Sequence, residues 1–189
     1  MELKTRNVEK KLTKKEKQEF LERVYKVNSG EYKTEWTDSG KIGHLKKKSK
    51  IKSGGKARAA GGQFELKVRK DLEAKGWIVD KWSNNIDLDA KKLMPARRKF
   101  NPFSKVMTIG TGFPDFIAFQ MVDSQQGRYS VIGVEVKMNG LLSREEKEKS
   151  SFLIERDYFN QVWVAKKVKK KNRVFVEYIN FNEKYNNKI

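Results

Sequence analysis

A chain of 189 residues has room for one domain and an appendage, and its 37% hydrophobic content suffices for a modest core. With no cysteine and a single histidine, His44, it offers no disulfide, thiolate metal site, His-rich zinc site or Ser-His-Asp triad, so any chemistry falls to carboxylates and lysines. The 43 Lys+Arg against 24 Asp+Glu, net +19, call for a polyanion; with neither a membrane-spanning apolar run nor a signal-peptide core, the expected partner is nucleic acid and no membrane, in a cytoplasmic, nucleoid-associated setting.

Residues 1–58 read as a basic N-terminal appendage. Phe20, Leu21, Val24, Tyr25 and Val27 form one helical stripe across residues 14–27. Thr13 caps that helix, Glu16 completes a capping box, and residues 28–30 end it. Trp36 and a turn at Asp38, Ser39 and Gly40 follow. From Lys46 to Arg58 the chain is basic, small and glycine-rich, which predicts a flexible linker. Its Lys46, Lys47, Lys48, Lys50, Lys52, Lys56 and Arg58 suit a phosphate backbone and equally suit plain solvation. His44, in the same basic surroundings, is expected to be solvated.

The main domain is expected over residues 59–189. Phe64, Val68 and Leu72 make an apolar line on a helix that Gly76 stops. Glu65 lies at the edge of that line, where the helix dipole alone would favour an acid. Residues 77–82 read as a strand. Residues 83–107 then form a long insertion, with basic clusters at Lys91 and Lys92 and at Arg97, Arg98 and Lys99, and with Phe100 and Phe103 interleaved. That composition fits a substrate-contacting lid as well as an exposed loop. Its Asp87 and Asp89 are secondary candidates for an acid site.

The chain is organised around residues 110–119 and 129–137. Thr111 and Gly112 supply a turn, and Pro114 sits where a strand begins without owing a ladder N–H. Phe116 to Phe119 is apolar on both faces, as a central strand would be. The polar, glycine-containing gap from Asp123 to Arg128 predicts a hairpin to the second strand. Asp115 stands at the mouth of the first strand; Glu135 and Lys137, two apart, share a face of the second. Two carboxylates and a lysine at one spot suit a hard, oxygen-preferring cation such as Mg2+ and a phosphate beside it. The lysine would orient a water or offset transition-state charge. Otherwise Glu135 and Lys137 are a solvated pair on a half-exposed hairpin.

Beyond Lys137, residues 138–140 are a turn, and Ser143 with Glu146 forms a capping box opening a helix to about Arg156. Residues 161–165 read as a strand, 166–172 as a basic hairpin connection and 174–179 as a last, apolar strand.

Pro114-Asp115 followed by Glu135-x-Lys137 resembles the PD-(D/E)XK nuclease superfamily. Gly112-x-Pro114-Asp115 and the Leu142-Ser143 helix opening make it similar to the VRR-NUC and archaeal Holliday-junction-resolvase-like branches. The resemblance covers roughly residues 60–166. It implies an α/β, restriction-endonuclease-like core of order α-β-β-β-α-β, with a mixed central sheet flanked by helices. It implies a Mg2+-dependent endonuclease, with Mn2+ able to substitute, acting on branched or otherwise structured DNA in repair or recombination, as a homodimer. Carried over by residue, Asp115 and Glu135 hold the metal and Lys137 is catalytic. Val136, facing away, contributes only its carbonyl, and Glu65 is the supporting acid on the preceding helix. VRR-NUC domains usually have Gln one turn into the second helix; Glu146 here departs from that pattern, and helix capping alone accounts for it. The competing reading is a non-catalytic nucleic-acid-binding module on the same fold, with a restriction-type or RNA nuclease as a third.

Overall fold

The computed structural model describes residues 13–37, 39–40, 42–95, 98–101, 106–109 and 112–186; for 98, 99, 101, 106–109 and 186 it describes the backbone alone. The chain divides into two units, Met1–Ala59 and Ala60–Ile189.

In the first unit, helix α1 (Lys14–Asn28) carries both halves of the Thr13–Glu16 capping box. None of its residues is buried, and Phe20, Leu21 and Tyr25 of its apolar stripe are exposed. A hairpin follows, β1 (Tyr32–Trp36) against β2 (Ile42–Lys47), where sequence reading anticipates only the intervening turn. The segment expected to be a flexible linker is regular. Lys46 and Lys47 end β2, and Lys48 opens α2 (Lys48–Ala74). The glycines mislead here. Lysine, alanine and arginine are good helix formers. The C-terminal turns of α2 are anchored by buried Phe64, Val68 and Leu72, and extending a nucleated helix costs far less than starting one.

The second unit is mixed α/β, built on a five-stranded sheet in the order β11-β10-β9-β8-β3. Its strands are β3 (Ile78–Lys81), β8 (Phe116–Asp123), β9 (Arg128–Lys137), β10 (Gln161–Lys170) and β11 (Arg173–Asn180). All neighbours are antiparallel except β9 and β10, which run parallel because α3 (Arg144–Glu155) carries the chain between them. The β8–β9 turn is fixed by Asp123, whose carboxylate accepts from the N–H groups of Gln125 and Gln126 and from the Arg128 guanidinium. The β10–β11 connection is shorter than expected: β10 runs on to Lys170, and only Lys171 and Asn172 turn, both at positive φ (44° and 62°).

Strand alternation sorts the sheet into two buried faces. Phe116, Ala118, Ile132 and Val134 meet Phe64, Val68 and Leu72 of α2. On the opposite face Ile117 and Val131 pack with Leu153 of α3, Phe159 and Phe181. The insertion is not a structureless loop. It holds two hairpins, β4 (Asn85–Asp87) with β5 (Lys92–Met94) and β6 (Arg98–Asn101) with β7 (Val106–Ile109). Ile86, Leu88 and Leu93 tie the first hairpin into the α3-side core. Arg97 lies outside the described residues, as do the side chains of Arg98 and Lys99.

Candidate active site at the central strand ends

Glu135 and Lys137 are odd-numbered on β9, so they point to the α3 side of the sheet, beside Gly133. Asp115 stands one residue before β8, whose Phe116 is registered with Val134. The turn before Asp115 is docked closely. Phe113 N–H donates to Asn84 O at 2.9 Å, and Trp82 N–H to Asp115 O at 3.2 Å. Two glycines make that approach possible. A Cβ on Gly112 would lie 2.4 Å from Trp82 O and 2.6 Å from Asn84 O, and one on Gly133 would lie 2.7 Å from Pro114 Cγ. Gly112→Ala is therefore expected to destabilise the domain by about 1–3 kcal/mol and to misplace Asp115. Urea unfolding checks the first effect; a wild-type midpoint would show that the turn has room to shift.

The acids are held as follows. Asp115 Oδ2 accepts from Val136 N–H at 2.9 Å, linking the two strand ends. Lys137 Nζ lies 2.9 Å from Glu135 Oε1 and donates to Glu146 Oε1 at 2.6 Å. The second oxygen of Glu146 accepts from Ser143 N–H at 2.8 Å, so one carboxylate both caps α3 and grips the lysine. On the other flank, Lys81 Nζ pairs with Glu65 Oε2 at 2.9 Å and sits 5.4 Å from the centre of the Phe116 ring.

Burial dominates the electrostatics. Glu135 is 5% exposed; burial, with the Asp115 charge added, raises its carboxyl to about 7 against the Lys137 attraction. Burial also raises Asp115, as does the Glu65 charge; the Val136 N–H, Lys81 and Lys137 oppose the rise. For Lys137 burial acts to lower the ammonium, but its bonds to Glu146 and Glu135 outweigh this and raise it. For Glu146 burial again pushes upward, but Lys137 and the Ser143 N–H hold it below its ordinary value. Lys137 is thus drawn as the counter-ion of two acids, yet burial and the Asp115 charge push one of them, Glu135, toward its neutral form. The geometry and the shifts agree if Glu146 is the standing counter-ion and Glu135 is the acid that exchanges its proton.

The structure thus brings Asp115, Glu135 and Lys137 together and adds Glu146, which the sequence marks as a departure from the family pattern that helix capping can explain. Glu65 belongs to the flanking Lys81 pair, with its charge felt at Asp115. Val136 contributes its N–H to Asp115. Asp87 is engaged in its own turn, accepting from Ala90 N–H. Lys91 and Lys92 are exposed on the β4–β5 hairpin, and Lys46, Lys47, Lys48, Lys50, Lys52, Lys56 and Arg58 are exposed in the first unit. Neither Lys81 nor the nearly buried Lys149, paired with Glu145 at 2.6 Å, stands out in the sequence. A strand-end position beside Glu65 and an inward helical phase were the only signals. Among the described residues no three His, Cys, Asp or Glu side chains gather as a metal cluster. No helix there is long and apolar enough to cross a membrane. Comparisons with family models, curated proteins and solved structures gave no match.

Proposed function

We propose that this chain is a Mg2+-dependent DNA endonuclease of the PD-(D/E)XK type, hydrolysing phosphodiester bonds in branched or structured DNA. The observation that carries the reading is the pairing of two upward-shifted acids on adjacent strand ends, Glu135 buried and Asp115 half-buried, with one lysine. A fold that needed no chemistry here would have no use for a buried carboxylate at Glu135, which is costly to hold beside a second acid. The succession of α2, β3, β8, β9, α3 and β10, with β9 parallel to β10, supports a restriction-endonuclease-like core.

The donor set fits a hard cation. Mg2+ takes one or two carboxylates and keeps several waters, so two acids with a backbone carbonyl suffice without a third side chain. Asp115 and Glu135 would hold it, with the Val136 carbonyl available as a further oxygen. Bound there, Mg2+ supplies Lewis-acid polarisation of the phosphate and a water of lowered pKa. The protein's part is electrostatic and positional. Glu135, raised toward neutrality, would give up its proton to serve as a ligand, and Lys137, held charged by Glu146, would orient the nucleophile and offset charge developing on the phosphate. The charge excess supplies affinity for the polyanion.

The competing reading is a nucleic-acid-binding module without catalysis. Purified protein with Mg2+ or Mn2+ is expected to cut a four-way junction faster than a linear duplex or single strand of matched composition. Uncut DNA in all three, with binding retained, would favour the module; equal cutting would remove the branched-substrate preference and leave the nuclease.

A further inference from the structure

We infer that the first unit carries a built phosphate-backbone groove for duplex DNA, separate from the cleavage chemistry. For the identity of its polyanion alone this rests on the nuclease reading. The groove, about 740 Å3, lies between the β1–β2 hairpin and the first turns of α2. Lys33, Lys46, Lys47, Lys50 and Arg58 line it, with Tyr32. The acid among its walls is Glu35, 4.0 Å from Lys46. Lys33 and Lys46 are directly opposed across the hairpin. Like charges placed opposite each other destabilise a strand pair, and Glu35, at 4.0 Å, offsets only part of the positive charge gathered here.

The helix wall has the same logic. Lys50, Gly54 and Arg58 recur every fourth residue and so share one face of α2. Lys52 and Lys56 lie round the helix from them and are not part of the groove. A glycine inside a helix costs roughly 1 kcal/mol relative to alanine. Among the described residues Gly54 has nothing within 4 Å of where a Cβ would stand, so none of them requires a glycine there. Between two cations one turn away on either side, it leaves bare backbone against which a sugar-phosphate strand can lie. Cations ranged along a groove match the phosphate-directed, sequence-independent part of DNA recognition. The groove therefore holds duplex DNA whatever its sequence and needs no metal.

The test uses the full chain in EDTA, a short labelled duplex, and anisotropy across a KCl series. Lys50→Ala with Arg58→Ala is expected to flatten the log-log salt slope by about two, at about 0.9 per phosphate contact. Lys52→Ala with Lys56→Ala removes the same charge from the same helix and is expected to change the slope by less than half as much. Gly54→Leu leaves the charge unchanged, keeps or raises the melting temperature, and is expected to weaken binding about tenfold, roughly 1.4 kcal/mol. Equal slopes for the two double variants would reduce the groove to a diffuse charged face and overturn the inference, as would wild-type affinity in Gly54→Leu. Binding of anionic phospholipid vesicles, but not duplex, that follows the same variants would overturn it too. Cleavage is read separately: loss of the groove with a working Asp115–Glu135–Lys137 centre lowers affinity and spares cutting at saturating DNA, whereas a dead centre leaves the EDTA isotherms unchanged.

Discussion

On the nuclease reading, Asp115→Asn is expected to abolish cleavage, with a loss of at least about a thousandfold, or about 4 kcal/mol of transition-state stabilisation. The substitution is nearly isosteric, and the asparagine carbonyl can still accept from Val136 N–H, so the strand ends stay joined. What disappears is the anionic oxygen, and a neutral amide is a poor ligand for a hard cation. Metal-free DNA binding should survive or tighten, since a negative charge beside the phosphate is gone. Lys137→Ala should stop cleavage for a different reason. Asp115 and Glu135 remain to hold metal, but the point charge between Glu135 and Glu146 is missing. Lys137→Arg should not rescue it, because a planar guanidinium does not replace a compact ammonium gripped by two carboxylates. Calorimetric metal titration beside a cleavage assay separates the cases: affinity lost in Asp115→Asn, largely retained in Lys137→Ala. Wild-type cutting by Asp115→Asn would make this corner structural.

The strands carrying this centre were legible because their residues are unambiguous. Phe116 to Ala118 and the apolar half of β9 are covered on both faces, and Asp123 with Gly127 announces the turn between the strands. Glu135 and Lys137 share a face by strand period alone. The capping boxes of Thr13 with Glu16 and Ser143 with Glu146 were equally plain, since each needs only its two residues. Local pattern misled where a remote anchor decides. Lys48 to Arg58 looks like a linker until the helix anchored by Phe64, Val68 and Leu72 is allowed to extend through it. The insertion was opaque because Ile86 and Leu93 find partners on α3 and beyond, which no periodicity within their own short strands reveals. Glu146 illustrates a third limit: capping was a complete local explanation, and only the position of Lys137 shows that its second oxygen has other work.

Glu135→Gln should make the metal-free protein more stable at pH 8 and leave it nearly unchanged at pH 5. The carboxyl titrates at about 7 in the folded chain against an ordinary 4.5, chiefly through burial and then through the Asp115 charge. Between those pH values the folded state holds a proton that the unfolded state has released, so stability falls as pH rises through the window, and the loss is complete above about 7. The shift corresponds to a cost on the order of 3 kcal/mol, removed in glutamine, which cannot ionise. For a chain of this size that is a rise in melting temperature of about 5–10 °C at pH 8. Asp115, also raised, adds in the same direction in the wild type. Glu146 works in the opposite sense, but its depressed carboxyl contributes stability that is lost only below its ordinary 4.5, outside this window. A cation held by Asp115 and Glu135, as proposed, would reverse the trend, because ligands must shed their protons to bind it. Mg2+ should therefore raise the wild-type melting temperature more at pH 8 than at pH 5, and should do little for Glu135→Gln at either. Melting curves with and without Mg2+ decide the matter: a wild type and variant that respond identically to both pH and Mg2+ would mean that Glu135 stays ionised as a plain partner of Lys137, with no cation to receive.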